Sequence, residues 1–468
     1  MPELTGRVLD RTSPGWEAAR RNFRSALDYD ALVPAAVVFC QGAGDVQNAL
    51  RYARDRGLPL RARSGRHSYE GYSLVGGGVV VDVSELQSIT VDRAAGTVRV
   101  GAGAYCLDLF ERLYDVGLTI PAASGASVGI AGLTLGGGFG VTSRLYGLTC
   151  DNLLAVEMVT ADGCVVHADA HENPDLLWAS QGGGGGNFGI VTALTYRAHP
   201  IGLVGLAQLS WTWDAFVPVV DAWQHWAPGA DDRLSTFLRL AASGKITLYA
   251  MFTPSSPDEL AALSGLLAPM LAVAPPVAVE IQAVPYSAAA AVFAGVDPVN
   301  PSWMLHPHND TQAFKSTSAV AFAPFPAGAL ALLKSQIELA PPSAAWQTNQ
   351  PSMIQLLAGG GAPSRVPVAA TAMPHRAAAF VVQYDAYWTD PADAQRSTDW
   401  IEGVRTAMLP YAHGAYVNYV DHLIPDHLDA YYGANLPRLV GIKRAVDADD
   451  VFNFPQSIPT ALPGAPPP

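Results

Sequence analysis

Leu60-Arg-Ala-Arg-Ser-Gly-Arg-His-Ser-Tyr-Glu-Gly-Tyr-Ser73 is the stretch on which the reading of this chain turns. Its first residues read as a strand, and Gly78-Val-Val-Val-Asp-Val83 reads as the next. The loop between them carries Gly65, Gly71 and small polar side chains. Such a loop can wrap backbone N–H groups around phosphate oxygens without a lysine or a helix. His67 lies in its middle, and a neutral imidazole nitrogen is a good nucleophile near neutral pH. A lone histidine is ordinarily structural, so the loop as a whole has to carry the argument.

The chain has 468 residues, which predicts two domains rather than one core. Half of the residues are hydrophobic and 15% are charged, the balance of a soluble globular protein. A net charge of −13 argues against a nucleic-acid groove or an anionic membrane surface and leaves small neutral or cationic substrates open. The start, Met1-Pro-Glu-Leu-Thr-Gly-Arg7, has no apolar segment, so a cytoplasmic protein is expected. The most apolar run, 261–279, is broken by Pro269, Pro275 and Pro276 and reads as helix, loop and strand rather than a membrane span. Cys40, Cys106, Cys150 and Cys164 show no paired spacing and read as free thiols in a reducing compartment.

Up to about residue 200, helices alternate with short strands. Residues 44–57 put Val46, Leu50 and Ala53 on one helical face, with Gly57 as a stop. Residues 97–100 read as a strand and 107–116 as a helix. Residues 154–160 and 164–167 form a hairpin through Ala161-Asp-Gly163. Asn173 is expected to cap a helix with Pro174 in its first turn. Beyond 200, strands come in pairs followed by helices: 234–240 and 245–252, then a helix capped by Ser256. Strand 318–323 precedes helix 327–337, and strand 378–388 precedes helix 392–408. This predicts an α+β protein in which an antiparallel sheet is backed by helices. The tail 459–468 is Pro-rich and reads as disordered.

Three patterns invite other readings. Gly101-Ala-Gly-Ala-Tyr-Cys106 resembles a dinucleotide turn but ends in cysteine and lacks the later acidic residue. Gly125-Ala-Ser-Val-Gly129 matches a serine-hydrolase elbow, but the glycines after it argue against the helix such an elbow requires. His167, His171 and Glu172, and Asp421, His422, Asp426 and His427, read as solvated loops rather than metal sites. No metal is expected.

The glycine runs Gly136-Gly-Gly-Phe-Gly140 and Gly182-Gly-Gly-Gly-Gly-Asn-Phe-Gly189 are more informative. Glycine clusters are costly in conformational entropy, and a chain keeps them for close backbone approach. With the His67 loop they form the pattern of the berberine-bridge-enzyme-like FAD oxidases, in the vanillyl-alcohol-oxidase (PCMH-type) superfamily, which this chain resembles over nearly its full length. The matching segments are Val128 to Gly140, Tyr146-Gly-Leu-Thr-Cys-Asp-Asn152, Gly185 to Gly189, Tyr431 to Val440 and Phe454-Pro-Gln-Ser-Ile458. Three positions depart from the family. Gly125 stands where many members have a cysteine that makes a second flavin bond. Leu133 replaces a common histidine, and Gln181 replaces an arginine.

The resemblance implies a split FAD-binding domain, residues 1–200 with a C-terminal return at 411–468, around a substrate domain at 201–410. It implies FAD attached covalently through His67 alone. The cofactor would also be held by Arg63, Ser64, Gly65, Arg66, Ser68, Tyr69, Gly71 and Ser73. Gly125, Ser127, Val128, Gly129, Gly132, Gly136, Gly140, Gly189, Ile190, Val191 and Asn418 complete that set. Tyr419 or Tyr416 is the implied base, in Tyr416-Val-Asn-Tyr-Val-Asp421, which reads as a strand with the two tyrosines on opposite faces. Lys315, Gln355 and His375 are implied near the substrate, and Gln355 occupies the place of an acidic helper, so no carboxylate relay is expected there. Valine at 128 is the family's oxygen-permitting choice. The implied reaction is oxidation of a small alcohol, hemiacetal or amine, with O2 going to H2O2, in secondary metabolism. Oxidative cyclisation or transfer to another acceptor is the alternative, and a flavin-loaded binder lies outside the class. Neither nucleic acid nor membrane is implied as a partner, and the oligomeric state is left open.

Overall fold

The computed structural model describes residues 3–294, 312–342 and 351–462. The part of the Pro-rich tail beyond 462 lies outside them. Two fully buried, valine-rich segments centre the first sheet. Strands Ala36–Phe39, Val79–Asp82 and Leu60–Arg63 pair in parallel, and Arg7–Leu9 adds an antiparallel edge. Helix Ala43–Asp55 covers this sheet with Val46, Ala49, Leu50 and Ala53, the face read from the sequence. The His67 loop therefore leaves the carboxyl end of Leu60–Arg63. A second sheet of five antiparallel strands has Ile190–Arg197 at its centre, between Thr97–Gly101 and Leu153–Val159.

The third sheet has seven antiparallel strands in the order Ala278–Pro285, Leu203–Thr212, Lys245–Phe252, Leu234–Ala241, Met353–Ala358, Phe380–Tyr387, Phe314–Ala321. Alternation along the strands gives it two unlike faces. Leu238, Leu240, Ile354, Leu356, Val382 and Tyr384 pack beneath helices Phe216–Trp226, Ala327–Ile337 and Ala394–Met408. The opposite face, with Phe237, Leu357 and Val381, joins the larger core. That core runs from Val38 through both smaller sheets to Ile458. The α+β architecture with helices behind an antiparallel sheet is the one expected. Residues 257–273 form three short helical turns, the last with Pro269 in its first turn, followed by strand Ala278–Pro285. Among the described residues no helix is long and apolar enough to cross a membrane. The four cysteines are free, three of them buried.

Four local readings need correction. Ile130–Leu135 is a helix despite its glycines. Its Ile130, Ala131, Leu133, Thr134 and Leu135 are all buried, so tertiary burial outweighs poor propensity over six residues. Asn173 does precede helix Pro174–Ser180, but in the left-handed conformation. Its side chain bonds back to the His167 carbonyl at 2.7 Å rather than to the helix. Ser256 likewise makes no side-chain cap; Glu259 takes the Ser255 N–H instead, at 3.0 Å. Residues 416–421 are not a strand. Val417–Tyr419 forms a 3-10 turn, which brings both tyrosines to the same side.

Candidate active site

A cavity of about 390 Å³ runs between the two smaller sheets and the inner face of the seven-stranded sheet. Its size and mixed lining are those of a cofactor or substrate site. One wall is the His67 loop. Arg63 and Arg66 shape this wall from behind, because their guanidinium groups turn away to buried Asp82. Arg63 Nε lies 2.6 Å from that carboxylate and its Nη2 donates to the Ala19 carbonyl at 2.6 Å. Arg66 adopts φ +64°, a left-handed conformation rare for arginine and costly unless its surroundings fix it. The loop's shape is thus set by a buried ion pair, and its backbone is left to face the cavity.

The facing wall is the segment 123–129. At Gly65 and Gly129 the two loops meet backbone to backbone: a Cβ on Gly65 would lie 2.1 Å from the Gly129 nitrogen. No other residue fits at either position without parting the walls. The N–H groups of Gly65, His67, Ser68 and Tyr69, and those of Gly125 and Ala126 opposite, donate to no described residue. Two convergent sets of unspent backbone donors are what a pyrophosphate would need, so the residues present fit FAD. His67 Nε2 lies 2.9 Å from Ser127 Oγ, and its ring stacks on Phe23 at 4.3 Å. Burial, partly offset by Ser127, holds its pKa down to about 4. The ring is neutral at physiological pH, the state a nucleophile requires.

Of the cofactor residues implied by the sequence, 63–69, 73, 125, 127–129, 132, 189–191 and 418 line this one cavity. Gly71, Gly136 and Gly140 do not. Gly71 packs on Leu27, a Cβ on Gly136 would strike Asn418 Oδ1 at 2.1 Å, and one on Gly140 would strike the Ala122 carbonyl at 1.8 Å. These three let backbone pass rather than meet a ligand. A Cβ on Gly125 would lie 2.7 Å from Val128 Cγ2, so this glycine leaves Val128 the space it fills at the cavity wall.

The other end of the cavity is polar and belongs to the seven-stranded sheet. Gln355 stands opposite Arg239 on one neighbouring strand and opposite Gln383 on the other. Arg239 Nε donates to Gln355 Oε1 at 2.7 Å. An arginine only donates, so the Gln355 amide must point its nitrogen onward. It reaches Gln383 Oε1 at 3.4 Å, and Gln383 Nε2 reaches Asp385 Oδ1 at 3.2 Å. Ser316 Oγ donates to the same oxygen at 2.6 Å. Burial raises the Asp385 pKa from 3.8 to about 6, although Ser316, Gln383 and Arg239 pull the other way. A buried carboxylate poised near neutrality in a cleft marks a candidate base.

Asp385 went unrecognised in the sequence. Its signal was there: in Phe380-Val-Val-Gln-Tyr-Asp-Ala-Tyr387, Gln383 and Asp385 fall on one face of an otherwise apolar strand. No carboxylate relay is expected at Gln355 from the sequence, yet Asp385 lies within reach of it through Gln383. Gln355 does line the cavity, with Asp385 two strand positions from its partner.

The two tyrosines also reach the cavity. The Tyr416 hydroxyl accepts the Gly138 N–H at 2.7 Å and Asn418 Nδ2 at 2.8 Å. It is a pillar between the C-terminal segment and the glycine run. Tyr419 stacks parallel to Tyr69 at 5.9 Å. Burial raises both phenols above their ordinary value, and at Tyr416 the Gly138 and Asn418 donors pull the other way.

Lys315 and His375 do not line the cavity. Lys315 is one residue out of step with Ser316, so it emerges on the sheet's helix side. There Glu70 holds it at 2.8 Å, Asp421 is closer still and Glu402 lies at 3.8 Å. Arg24 and His422 add to Glu70 at 3.2 and 2.9 Å. Burial opposes ionisation of Glu70, but His422, Lys315 and Arg24 hold its pKa down to about 2. This cluster ties the His67 loop to the large sheet and the C-terminal segment. His375 donates to or accepts nothing in the cavity; its Nε2 lies 2.8 Å from the Ala415 carbonyl and anchors the same segment. Among the described residues, Glu70, Asp421 and His422 are the one trio close enough for a metal, and the Lys315 ammonium already serves two of them.

The serine-hydrolase pattern also looks different in three dimensions. A helix does follow Ser127, and a histidine does contact it. No strand precedes it, and no carboxylate hydrogen-bonds His67 among the described residues.

Sequence and structure comparisons agree with this geometry. Residues 34–169 match the FAD binding domain family, and residues 415–459 match the berberine and berberine-like family. The chain is 37% identical to the FAD-linked oxidoreductase YgaK of Bacillus subtilis, across 98% of this chain and 97% of that one. The solved structure of BBE-like 1 from Physcomitrella patens superposes with a TM-score of 0.89 at 30% identity, covering 98% of both chains. Phl p 4, a grass pollen allergen with glucose dehydrogenase activity, superposes at 0.85 with 25% identity over 97% and 96%. A form of that allergen with one isoleucine exchanged for valine is a glucose oxidase. The fold and site are those of an FAD-linked oxidoreductase of the PCMH-type superfamily. Within that class the chain belongs to the berberine-bridge-enzyme-like oxidases.

Proposed function

We propose that the chain oxidises a small-molecule alcohol, hemiacetal or amine, with Asp385 as the base and FAD held covalently through His67 alone. FAD supplies hydride acceptance and reoxidation. The observation that carries the reading is Asp385, with a pKa raised to about 6, at the polar end of the cavity whose other end is the His67 loop.

Asp385 Oδ1 is fixed by Ser316 and Gln383. Its second oxygen is then the one that takes the substrate hydroxyl or amine proton as the hydride leaves carbon. Tyr69 and Tyr419 form an apolar wall beside it, which excludes water and orients a planar or ring substrate. Neutral His67 supports attachment to the flavin, and Gly125 has no sulfur for a second bond.

Val128 stands at the wall where O2 would approach. Oxygen is small, and one methylene in a packed wall can close such a passage. The oxidase gained by Phl p 4 on an isoleucine-to-valine exchange supports a size-sensitive acceptor in this fold. We therefore assign O2 as acceptor and H2O2 as product, and secondary metabolism in the cytoplasm as the setting. The proposed division is an FAD domain of 1–200 with 411–468, and a substrate domain of 201–410. A substrate screen that follows anaerobic flavin bleaching, then peroxide on admitting air, tests the reading. Bleaching by no alcohol or amine would remove it.

A further inference from the structure

We infer that Arg239 is the recognition point for an anionic group, so that the substrate is a small carboxylate-bearing molecule. This rests on the oxidase reading and narrows its substrate class. Arg239 lies in strand Leu234–Ala241 on the cavity face. Its Nε is used by Gln355 at 2.7 Å and its Nη2 by the Phe293 carbonyl at 3.1 Å, and its plane rests on Tyr249 at 4.6 Å. It forms no ion pair with any described residue. The carboxylate sharing the cavity, Asp385, is already committed to Ser316 and Gln383.

A guanidinium drawn partly out of water and held rigid, attracted by Asp385 only across the cavity and in no contact ion pair, is an arrangement that a bound anion would relieve. Its planar fork suits a carboxylate. Gln355 and the Tyr249 ring fix the plane, so its remaining edge is presented in one orientation. The net charge of −13 means that the protein's overall field does not draw the anion in; recognition is local. Spacing sets the size of the ligand. Arg239 and Asp385 stand on strands separated by one intervening strand, or about 10 Å of backbone. Both side chains reach inward, so the carboxylate and the reacting C–H are only a few atoms apart. A hydroxy or amino acid, or a sugar acid, meets that description, and a long neutral oligosaccharide does not use the arginine.

The test compares benzoate with benzamide, which share a shape and differ in charge. Binding to the flavin-loaded protein is read by flavin difference spectra. The parent should bind benzoate at least about tenfold more tightly than benzamide, the scale of one charge-assisted contact. Arg239→Gln should erase that preference, and Arg239→Lys should keep part of it. Equal affinity in the parent, binding of neither probe, or a preference that survives in Arg239→Gln overturns the inference. Flavin reduction by neutral alcohols alongside no benzoate preference would sink the anion site while sparing the oxidase reading. A clear Arg239-dependent preference with no reduction by any hydroxy or amino acid would uphold the site and sink the oxidase.

Discussion

Asp385→Asn should slow the enzyme and stabilise it at once. Asparagine keeps the shape and still accepts the Ser316 and Gln383 hydrogen bonds through its oxygen, so the fold is not disturbed. The group lost is a carboxylate that burial keeps protonated up to about pH 6, against an ordinary 3.8. A folded-state value above the unfolded one means that ionisation weakens the fold. The penalty is absent below the ordinary value, grows as pH rises through the window from 3.8 to about 6, and is complete above it. That gap corresponds to about 3 kcal/mol. The variant should therefore resist denaturation better than the parent at pH 8 by up to about 3 kcal/mol, and equally at pH 3.5.

The same titration governs the rate. In the parent only about one molecule in ten carries the ionised base at pH 5, so anaerobic flavin reduction should fall about tenfold between pH 8 and 5. The variant should be slower by about 10²–10⁴-fold at pH 8, with a flat pH profile. Stopped-flow reduction at saturating substrate and denaturant titration at the two pH values make the measurements. A variant that reduces flavin at the parent rate refutes the base assignment, and a loss of stability at pH 8 refutes the burial argument beneath it.

Val128→Leu should leave anaerobic reduction intact and slow reoxidation in air, read by return of flavin absorbance; equal reoxidation would remove the gate. Tyr416→Phe deletes the acceptor shared by Gly138 and Asn418 and should cost about 1–3 kcal/mol of stability, with flavin reduction retained, whereas a catalytic base there would abolish it. Lys315→Met removes the cation that Glu70 and Asp421 share and leaves Asp421 buried without its ammonium partner. It should destabilise by about 3–5 kcal/mol, seen as a shifted denaturant midpoint with faster proteolysis of the His67 loop.

The His67 loop and the glycine runs were legible because their chemistry is local: small residues in a row announce close backbone approach wherever the chain later goes. Helix Ala327–Ile337 and the hairpin Leu234–Ala241 with Lys245–Phe252 were legible from periodicity and turn residues. Asp385 was not, because its role depends on which strands lie beside it: the register that brings Arg239, Gln355 and Gln383 into one row is a long-range fact. Lys315 was misplaced for the opposite reason. Every residue of Phe314–Ala321 is buried, so nothing in its pattern tells which face is which. The segment 416–421 alternates like a strand, yet beyond the bridge between Val320 and His413 it does not pair with the neighbouring edge strand Phe314–Ala321, and it turns instead.

The cavity is proposed to hold FAD on a single covalent tether. That tether is tested most directly by precipitating the purified protein in acid, digesting the pellet and sequencing the flavin-bearing peptide by mass spectrometry. The expected result is a yellow pellet whose flavin sits on the peptide containing His67, with no link to Cys106, Cys150 or Cys164. A colourless pellet with all flavin in the supernatant, or flavin attached to a cysteine, would contradict it.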